Sequence, residues 1–184
     1  GNQVFCVDKD FSKINKLNSG ISPIYEPGLN ELIKKNYTAK RLIFTTDLKK
    51  AVNSSDIIFI CVGTPTKKGS LKVDLSYVYK SIKEIISSTK NKKIIVTKST
   101  VPVGTGDEIE KIIKKLKKKN FDVISNPEFL REGDAIRDFR YPDRIVIGSN
   151  EKKVFNLMKM LYAPLINKGA KFFTTSRRGA ELIK

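Results

Sequence analysis

The chain contains no histidine and no tryptophan, and its two cysteines, Cys6 and Cys61, stand far apart. With neither an imidazole nor a close cysteine pair, no donor set for a bound metal is visible, and none is expected. Each cysteine lies inside an apolar, strand-like run, the setting of a buried free thiol in a reducing compartment. No apolar run approaches the roughly 20 residues of a membrane-spanning helix, and charges break the short ones. No long polar tract, internal repeat or low-complexity linker interrupts the 184 residues, of which 40% are apolar. That excludes disorder and gives enough chain for one well-filled core, or for one domain and the start of another. No secretory signal is visible, although the chain opens on Gly1 rather than Met; cytoplasmic is the default expectation.

Negative charge is also scarce: 19 acidic residues face 36 basic ones, a net charge of +17. An excess of that size suits nucleic acid or an acidic membrane. The basic residues, however, are 29 lysines and 7 arginines, whereas nucleic-acid surfaces lean on arginine for bidentate contacts. The densest cluster, Lys111 to Lys119, lies opposite the apolar stripe Ile109, Ile112, Ile113 and Leu116, which marks it as the wet face of a helix. A lysine-rich solvated surface is the preferred reading, and nucleic acid is not the expected partner.

What is present is alternation. Apolar runs occur at Gln3–Val7, Leu42–Phe44, Ile57–Val62, Ile94–Thr97, Phe121–Ile124, Ile145–Ile147 and Lys171–Phe173. Several are nearly continuous Val, Ile and Phe, as in parallel strands buried on both faces. Between them lie helix-like stretches at Phe11–Asn18, Leu29–Lys35, Leu48–Val52, Leu75–Ser87, Gly106–Lys117 and Lys152–Tyr162. Val154, Leu157, Met158 and Leu161 give the last its apolar face, and Thr105 with Glu108 reads as a capping box. The pattern predicts an α/β, Rossmann-like, doubly wound parallel sheet.

Such folds carry a glycine-rich G-x-G-x-x-G loop and, about 20 residues later, an acidic residue that holds the adenosine ribose. Asp8 ends the first run, yet the residues before it hold no such loop. If Asp8 is the ribose carboxylate, the first strand, the glycine loop and the first helix lie upstream of Gly1. The Gln3–Val7 and Ile57–Val62 strands are then expected to have unpaired inner edges. Read alone, Asp8 is more often a turn residue than a ligand.

Asn126-Pro127-Glu128-Phe129-Leu130-Arg131-Glu132-Gly133 follows a strand, at the edge where open α/β sheets place their ligands. Glu128 and Glu132 stand at i and i+4, so a helical turn would set both carboxylates on one face. Like charges that close raise a pKa toward the range of a general base. The bland alternative is a solvated acidic turn with Arg131 as an ion-pair partner. Thr64-Pro65-Thr66 and Thr100 also close strands, where hydroxyls either meet a ligand or satisfy a turn.

Further segments are Ser22-Pro23-Ile24-Tyr25-Glu26-Pro27-Gly28-Leu29, Lys98-Ser99-Thr100-Val101-Pro102-Val103-Gly104-Thr105, Tyr141-Pro142-Asp143-Arg144 and Gly179-Ala180-Glu181-Leu182-Ile183-Lys184. Taken in order with those above, they resemble the UDP-glucose/GDP-mannose dehydrogenases, most closely the UDP-glucose 6-dehydrogenase branch. The resemblance implies residues 1–174 as an NAD-binding domain and 175–184 as the start of a central dimerisation helix. It implies a four-electron, NAD-dependent oxidation of the C6 alcohol of UDP-glucose, giving UDP-glucuronate, in a homodimer or larger assembly. Asp8 and Lys13 match residues at the adenosine, Thr64, Thr66, Ser99 and Thr100 match positions along the cofactor, and Glu132 matches a catalytic residue lying between substrate and nicotinamide. Thr100 also matches a residue that positions catalytic water. Glu128 matches the carboxylate that activates this water; Phe129, Leu130 and Arg131 match sugar-nucleotide contacts. Lys184 matches a lysine that stabilises oxyanion-like charge. The family nucleophile is a cysteine of a later domain, matched by neither Cys6 nor Cys61, so these 184 residues alone are expected to be inactive. GDP-mannose or a UDP-N-acetylmannosamine sugar is the alternative substrate, and a non-catalytic basic binding remnant the alternative class.

Overall fold

The computed structural model of the chain describes residues 2–67, 69–70 and 72–184. From the amino end the elements are β1 (Val4–Val7), α1 (Phe11–Asn18), α2 (Leu29–Thr38), β2 (Leu42–Thr45), α3 (Leu48–Asn53), β3 (Ile57–Ile60), α4 (Ser76–Ser88) and β4 (Lys93–Thr97). They continue as α5 (Thr105–Lys115), β5 (Phe121–Ser125), α6 (Ala135–Arg140), β6 (Arg144–Gly148), α7 (Lys153–Ile166), β7 (Lys171–Thr175) and α8 (Arg177–Ile183). All seven expected strands form, each end within two residues of its expected place. The six expected helices form too; α6 is additional, and α8 lies within residues 175–184.

The elements gather into two compact units. The first comprises Gly1–Ser55 and Leu130–Arg140. In it β1 and β2 pair in parallel, Val4 opposite Leu42 through Val7 opposite Thr45. Helices α1 and α2 contribute Ile14 and Ile33 to a small core with Phe44, against which Cys6, Leu17, Leu29 and Leu42 pack. The Asp10 side chain caps α1 by accepting from the Lys13 amide.

The second unit comprises Asp56–Phe129 and Tyr141–Lys184 and holds a sheet in the order β3-β4-β5-β6-β7. Strand β4 is buried along its whole length, as a central strand must be. Below the sheet, α7 lays Val154, Met158 and Tyr162 against Ile94, Val96, Ile124, Ile145 and Ile147. That stripe runs at i, i+4, i+8, so Leu157, expected inside, is 37% exposed. The parallel expectation holds for β3-β4-β5 and for β6-β7, but β6 meets β5 antiparallel, through Ser125 opposite Gly148. A parallel step needs a crossover packed on the sheet. The chain between β5 and β6 supplies only α6, which buries no residue and belongs to the first unit.

Among the described residues, β1 pairs only with β2 and β3 only with β4, so the two strands expected to have an open side each have one. Cys61 departs from expectation. Because β3 ends at Ile60, Cys61 leaves the pleat and is exposed, while Cys6 within β1 is half-buried.

Helix α8 seats on the end of β6 at van der Waals limits. A Cβ on Gly148 would stand 2.4 Å from Ala180 Cβ, 2.8 Å from the Ser176 carbonyl oxygen and 2.9 Å from Arg177 Cα. Two of those neighbours are backbone and cannot swing aside. Gly148→Ala is therefore expected to destabilise the chain by about 1–3 kcal/mol, as overpacking does. Gly63→Ala, whose Cβ would meet nothing within 4 Å, is the control. Denaturant midpoints at unchanged m-value read both, and equal midpoints would contradict the tight seat.

Candidate functional site

In the second unit the carboxyl ends of β3, β4 and β5 are stitched together by hydroxyls and amides. The amides of Lys98 and Ser99 both donate to the Ile60 carbonyl, at 2.9 and 3.1 Å. Ser99 Oγ donates to the Val62 carbonyl at 2.7 Å, and Thr64 Oγ1 donates to the Thr100 carbonyl at 2.8 Å. Thr64, Ser99 and Thr100 are thus brought to one edge, with the hydroxyl protons of Thr64 and Ser99 spent on holding the two loops. Thr66 forms an isolated antiparallel bridge with Val73.

At the end of β5, Asn126 is 2% exposed and fully engaged. Its amide donates to the Thr97 carbonyl at 2.9 Å, its Nδ2 to the Val146 carbonyl at 3.0 Å, and its Oδ1 accepts from the Tyr162 hydroxyl at 2.5 Å. Burial pushes the Tyr162 phenol far above its ordinary pKa, so the hydroxyl stays a donor. This buried polar anchor fixes the direction in which the chain leaves the sheet. Sequence reasoning read Asn126 as part of a motif and missed its role; an Asn two residues after the apolar Val123-Ile124 was the available signal.

Two residues on, Glu128 Oε1 lies 2.8 Å from Lys184 Nζ, both side chains about a quarter exposed. Phe129 receives the Arg144 guanidinium over its ring at 4.5 Å and the Lys184 ammonium at 5.6 Å. Lys98 faces the same place: burial lowers its pKa, with Cys61 and Glu128 opposing that shift and Lys184 adding to it. One carboxylate, two ammonium groups and an aromatic face therefore converge beyond β5. That is a set able to take a proton and to stabilise a developing negative charge. Lys98 and Arg144 belong to it and were quoted in the sequence motifs without a role.

The helical turn expected to juxtapose Glu128 and Glu132 does not form. Residues 126–131 lack regular structure, Glu132 and Gly133 make a turn, and α6 starts at Ala135. The Arg131 amide donates to Asp138 Oδ2 and the Gly133 amide to Glu26 Oε2, each at 2.9 Å, so side chains take donors that a helical turn would spend on carbonyls four residues back. The two carboxylates fall in different units, and Glu128 is paired with a lysine rather than set against a like charge.

In the first unit Glu132 sits in a turn held by Glu26. The Gly133 amide donates to Glu26 Oε2 at 2.9 Å, and the Ile136 amide approaches Oε1 at 3.4 Å. Glu26 is a second residue that the motif contained and the reading left idle. Arg131 forks onto Asp138, Nε to Oδ2 at 3.0 Å and Nη2 to Oδ1 at 2.7 Å, and reaches Asp134 at 2.9 Å. The ion-pair alternative for Arg131 is what forms, with Asp134 and Asp138 as the acids; Leu130 is 37% exposed. Asp8 and Lys13 come together at the end of β1, Oδ2 to Nζ at 2.6 Å, while Asp8 Oδ1 accepts from the Asp10 amide at 3.0 Å. The Lys13 bond, then the Asp10 amide, hold the Asp8 carboxyl below the usual aspartate range. It is an ionised acceptor at a strand end, fit for a ribose diol and hostile to a 2′-phosphate.

Residues 1–166 match the NAD binding domain of the UDP-glucose/GDP-mannose dehydrogenase family. The chain is 51% identical to the UDP-glucose 6-dehydrogenase of Rhizobium meliloti and 47% identical to the UDP-glucose 6-dehydrogenase TuaD of Bacillus subtilis. Both alignments cover 100% of this chain but 43% and 40% of those relatives, so it spans well under half their length. Among solved structures, a ternary complex of GDP-mannose dehydrogenase from Pseudomonas aeruginosa superposes with a TM-score of 0.93 at 39% identity, over 100% of this chain and 43% of the other. A UDP-glucose dehydrogenase from Pyrobaculum islandicum gives 0.92 at 34% identity, with the same coverage.

The Arg131 fork has a pH signature. Its side-chain bonds, then its backbone amide, pull the Asp138 carboxyl from 3.8 to about 2. A depressed carboxyl stabilises the fold above the ordinary aspartate value and gives that up as pH falls toward 2. In Arg131→Met the Asp138 midpoint, followed by carboxyl NMR, is expected to return toward 3.8. An unmoved midpoint would mean that Arg131 is not the cause.

Proposed function

The chain belongs to the UDP-glucose/GDP-mannose dehydrogenase family, and on that premise we propose that it forms the cofactor-side half of an enzyme that oxidises the C6 hydroxyl of UDP-glucose to the carboxylate of UDP-glucuronate. The observation that carries this reading is the Glu128–Lys184 pair, which joins the end of β5 to the end of α8 at 2.8 Å beside Phe129.

NAD, when bound, accepts the hydride that leaves C6. Asp8 would hold the adenosine ribose and Lys13 would keep Asp8 ionised, while Thr64, Thr66, Ser99 and Thr100 would line the cofactor's path at the carboxyl edge of β3 and β4. Glu132 would face both cofactor and sugar. Glu128 would take a proton from the water that Thr100 positions. Lys184 would hold the negative charge that develops on the oxygen, with Lys98 adding to the local field. Phe129, Leu130 and Arg131 would contact the sugar nucleotide. The division into 1–174 for the cofactor and 175–184 for the start of a central helix belongs to this reading, as does a homodimer or larger assembly.

The second oxidation needs a thiol nucleophile. Cys6 lies within β1 and Cys61 directly follows β3, and neither matches the family position. The 184 residues alone are expected to make no UDP-glucuronate. A GDP-mannose substrate is kept as the second reading because the TM-score of 0.93 is to a GDP-mannose dehydrogenase.

NADH absorbance during turnover by the complete gene product tests both readings, with UDP-glucose and GDP-mannose offered in parallel. Glu128→Gln is expected to lower kcat by about 10²–10⁴-fold, the usual contribution of a positioned base, with the NAD KM little changed. Turnover of GDP-mannose alone would exchange the first reading for the second. NADH formed equally fast by the Gln variant would remove Glu128 from the chemistry.

A further inference from the structure

We propose that Glu181 is a positioning residue, whose carboxylate locks the loop carrying Thr100 to the helix end carrying Lys184. The proposal rests on the functional reading above and concerns a side chain given no part in it.

Helix α5 lacks a cap of its own. Its N-cap is Gly104, in the left-handed region at φ 93°, with no side chain to offer. The expected capping box does not form: Thr105 Oγ1 donates to the Pro102 carbonyl at 2.6 Å, and Glu108 pairs with Lys111 at 2.7 Å. The free amides are met instead from α8. Gly104 N donates to Glu181 Oε2 at 2.6 Å, and Gly106 N to Oε1 at 2.8 Å. Glu181 is 5% exposed, so both oxygens work in a nearly dry place at a helix N-terminus, where negative charge is favoured.

A second contact fixes the same geometry. Arg177, one turn earlier on α8 and 1% exposed, binds Asp107 Oδ1 and Glu110 Oε1, each at 2.6 Å. A Cβ on Gly106 would lie 2.3 Å from Arg177 Cδ, so α8 approaches as closely as a glycine permits. A local Ser or Asp would cap α5 at lower desolvation cost. What the distant carboxylate adds is a link between segments 75 residues apart.

The two linked segments both carry proposed chemistry. Thr100 lies four residues before Gly104, in the loop that Thr64 and Ser99 tie to β3. Lys184 lies three residues after Glu181 and holds Glu128 at 2.8 Å. Positions i and i+3 share a helix face. Helix α8 thus works as a strut, with one charge set on the Thr100 loop and the next on the carboxylate beyond β5.

The test uses the complete gene product with Glu181→Gln and Glu181→Asp. In the Gln variant an amide group must face one of the two N–H donors; the Asp variant keeps the charge but is too short to span both. Glu181→Gln is expected to lower kcat by about 10–100-fold, the scale of a small misplacement of reacting groups. Glu181→Asp is expected to fall between it and wild type. Val154→Ala, a core change in α7, supplies the comparison: at similar loss of thermal stability its kcat stays within about twofold, because it moves neither segment. Hydrogen exchange and amine labelling read the link without turnover. Glu181→Gln is expected to speed exchange through residues 99–106 and to raise the labelling rate of Lys184. Freed Gly104 and Gly106 amides with Thr100 exchange and Lys184 labelling at wild-type rates would reduce Glu181 to a cap and overturn the proposal. Should the wild type oxidise no nucleotide sugar, the functional reading fails alone, and exchange and labelling still decide the role of Glu181. If the Gln variant does not fold, the Asp variant decides by the same readings.

Discussion

The second unit depends on the burial of one guanidinium. Arg177 is 1% exposed, and a charge that dry costs several kcal/mol unless its partners are in place. Asp107 and Glu110 supply them from one face of α5, and the Val123 carbonyl adds a long contact from β5. Gly106 leaves the space, and Gly148 lets the backbone of α8 come down on β6. Replacing the cluster with apolar groups need not weaken such a fold, because buried ion pairs seldom beat hydrophobic packing in net energy. What the charges give is a single arrangement. Sliding α8 by one residue would take the buried guanidinium away from both Asp107 and Glu110.

That uniqueness carries through to the chemistry. Asn126 fixes where β5 ends, using its amide, its Nδ2 and its Oδ1 at once, and Glu128 follows from a point that cannot shift. Lys184 arrives from α8, whose register Arg177 has already set. The Glu128–Lys184 contact therefore joins two independently anchored segments, neither held by the contact itself. A partly exposed ion pair is worth little in energy, about 0–1 kcal/mol. Its value here lies in being placed by stronger interactions around it.

Legibility in the sequence followed the physics of burial. Strand β4 was readable because Lys93–Thr97 is buried along its whole length and leaves a dense apolar signature. Helix α6 left none: Ala-Ile-Arg-Asp-Phe-Arg buries no residue, so there was no periodicity to find. Local rules failed where a distant group competed. Thr105 and Glu108 satisfy the capping-box spacing, yet Gly104 is the N-cap, and Glu181 reaches across to its amide and to that of Gly106. Glu128 and Glu132 satisfy helical spacing, yet Asp138 and Glu26 take the Arg131 and Gly133 amides that a helical turn would use. The resemblance named Asp8, Lys13, Glu128 and Lys184, and the structure pairs them two by two. It could not give Glu26, Asn126 or Glu181 a role, because each acts on backbone amides or carbonyls that no sequence pattern identifies.

The charge of the chain divides along the same line. Most of the +17 lies on exposed lysines and costs the fold little. Lys98 is different: burial lowers its pKa from 10.5, so near the ordinary lysine value the unfolded chain binds a proton that the folded one does not. By linkage, stability then rises with pH toward that value, which is to say that holding Lys98 charged in its place works against folding. Exposed lysines such as those on α5 carry no such penalty. A fold selected for stability alone would gain nothing from an ammonium held at position 98. Keeping an ammonium there, opposite Glu128 and beside Lys184, is a local cost of the kind that functional sites impose and that the surrounding core offsets.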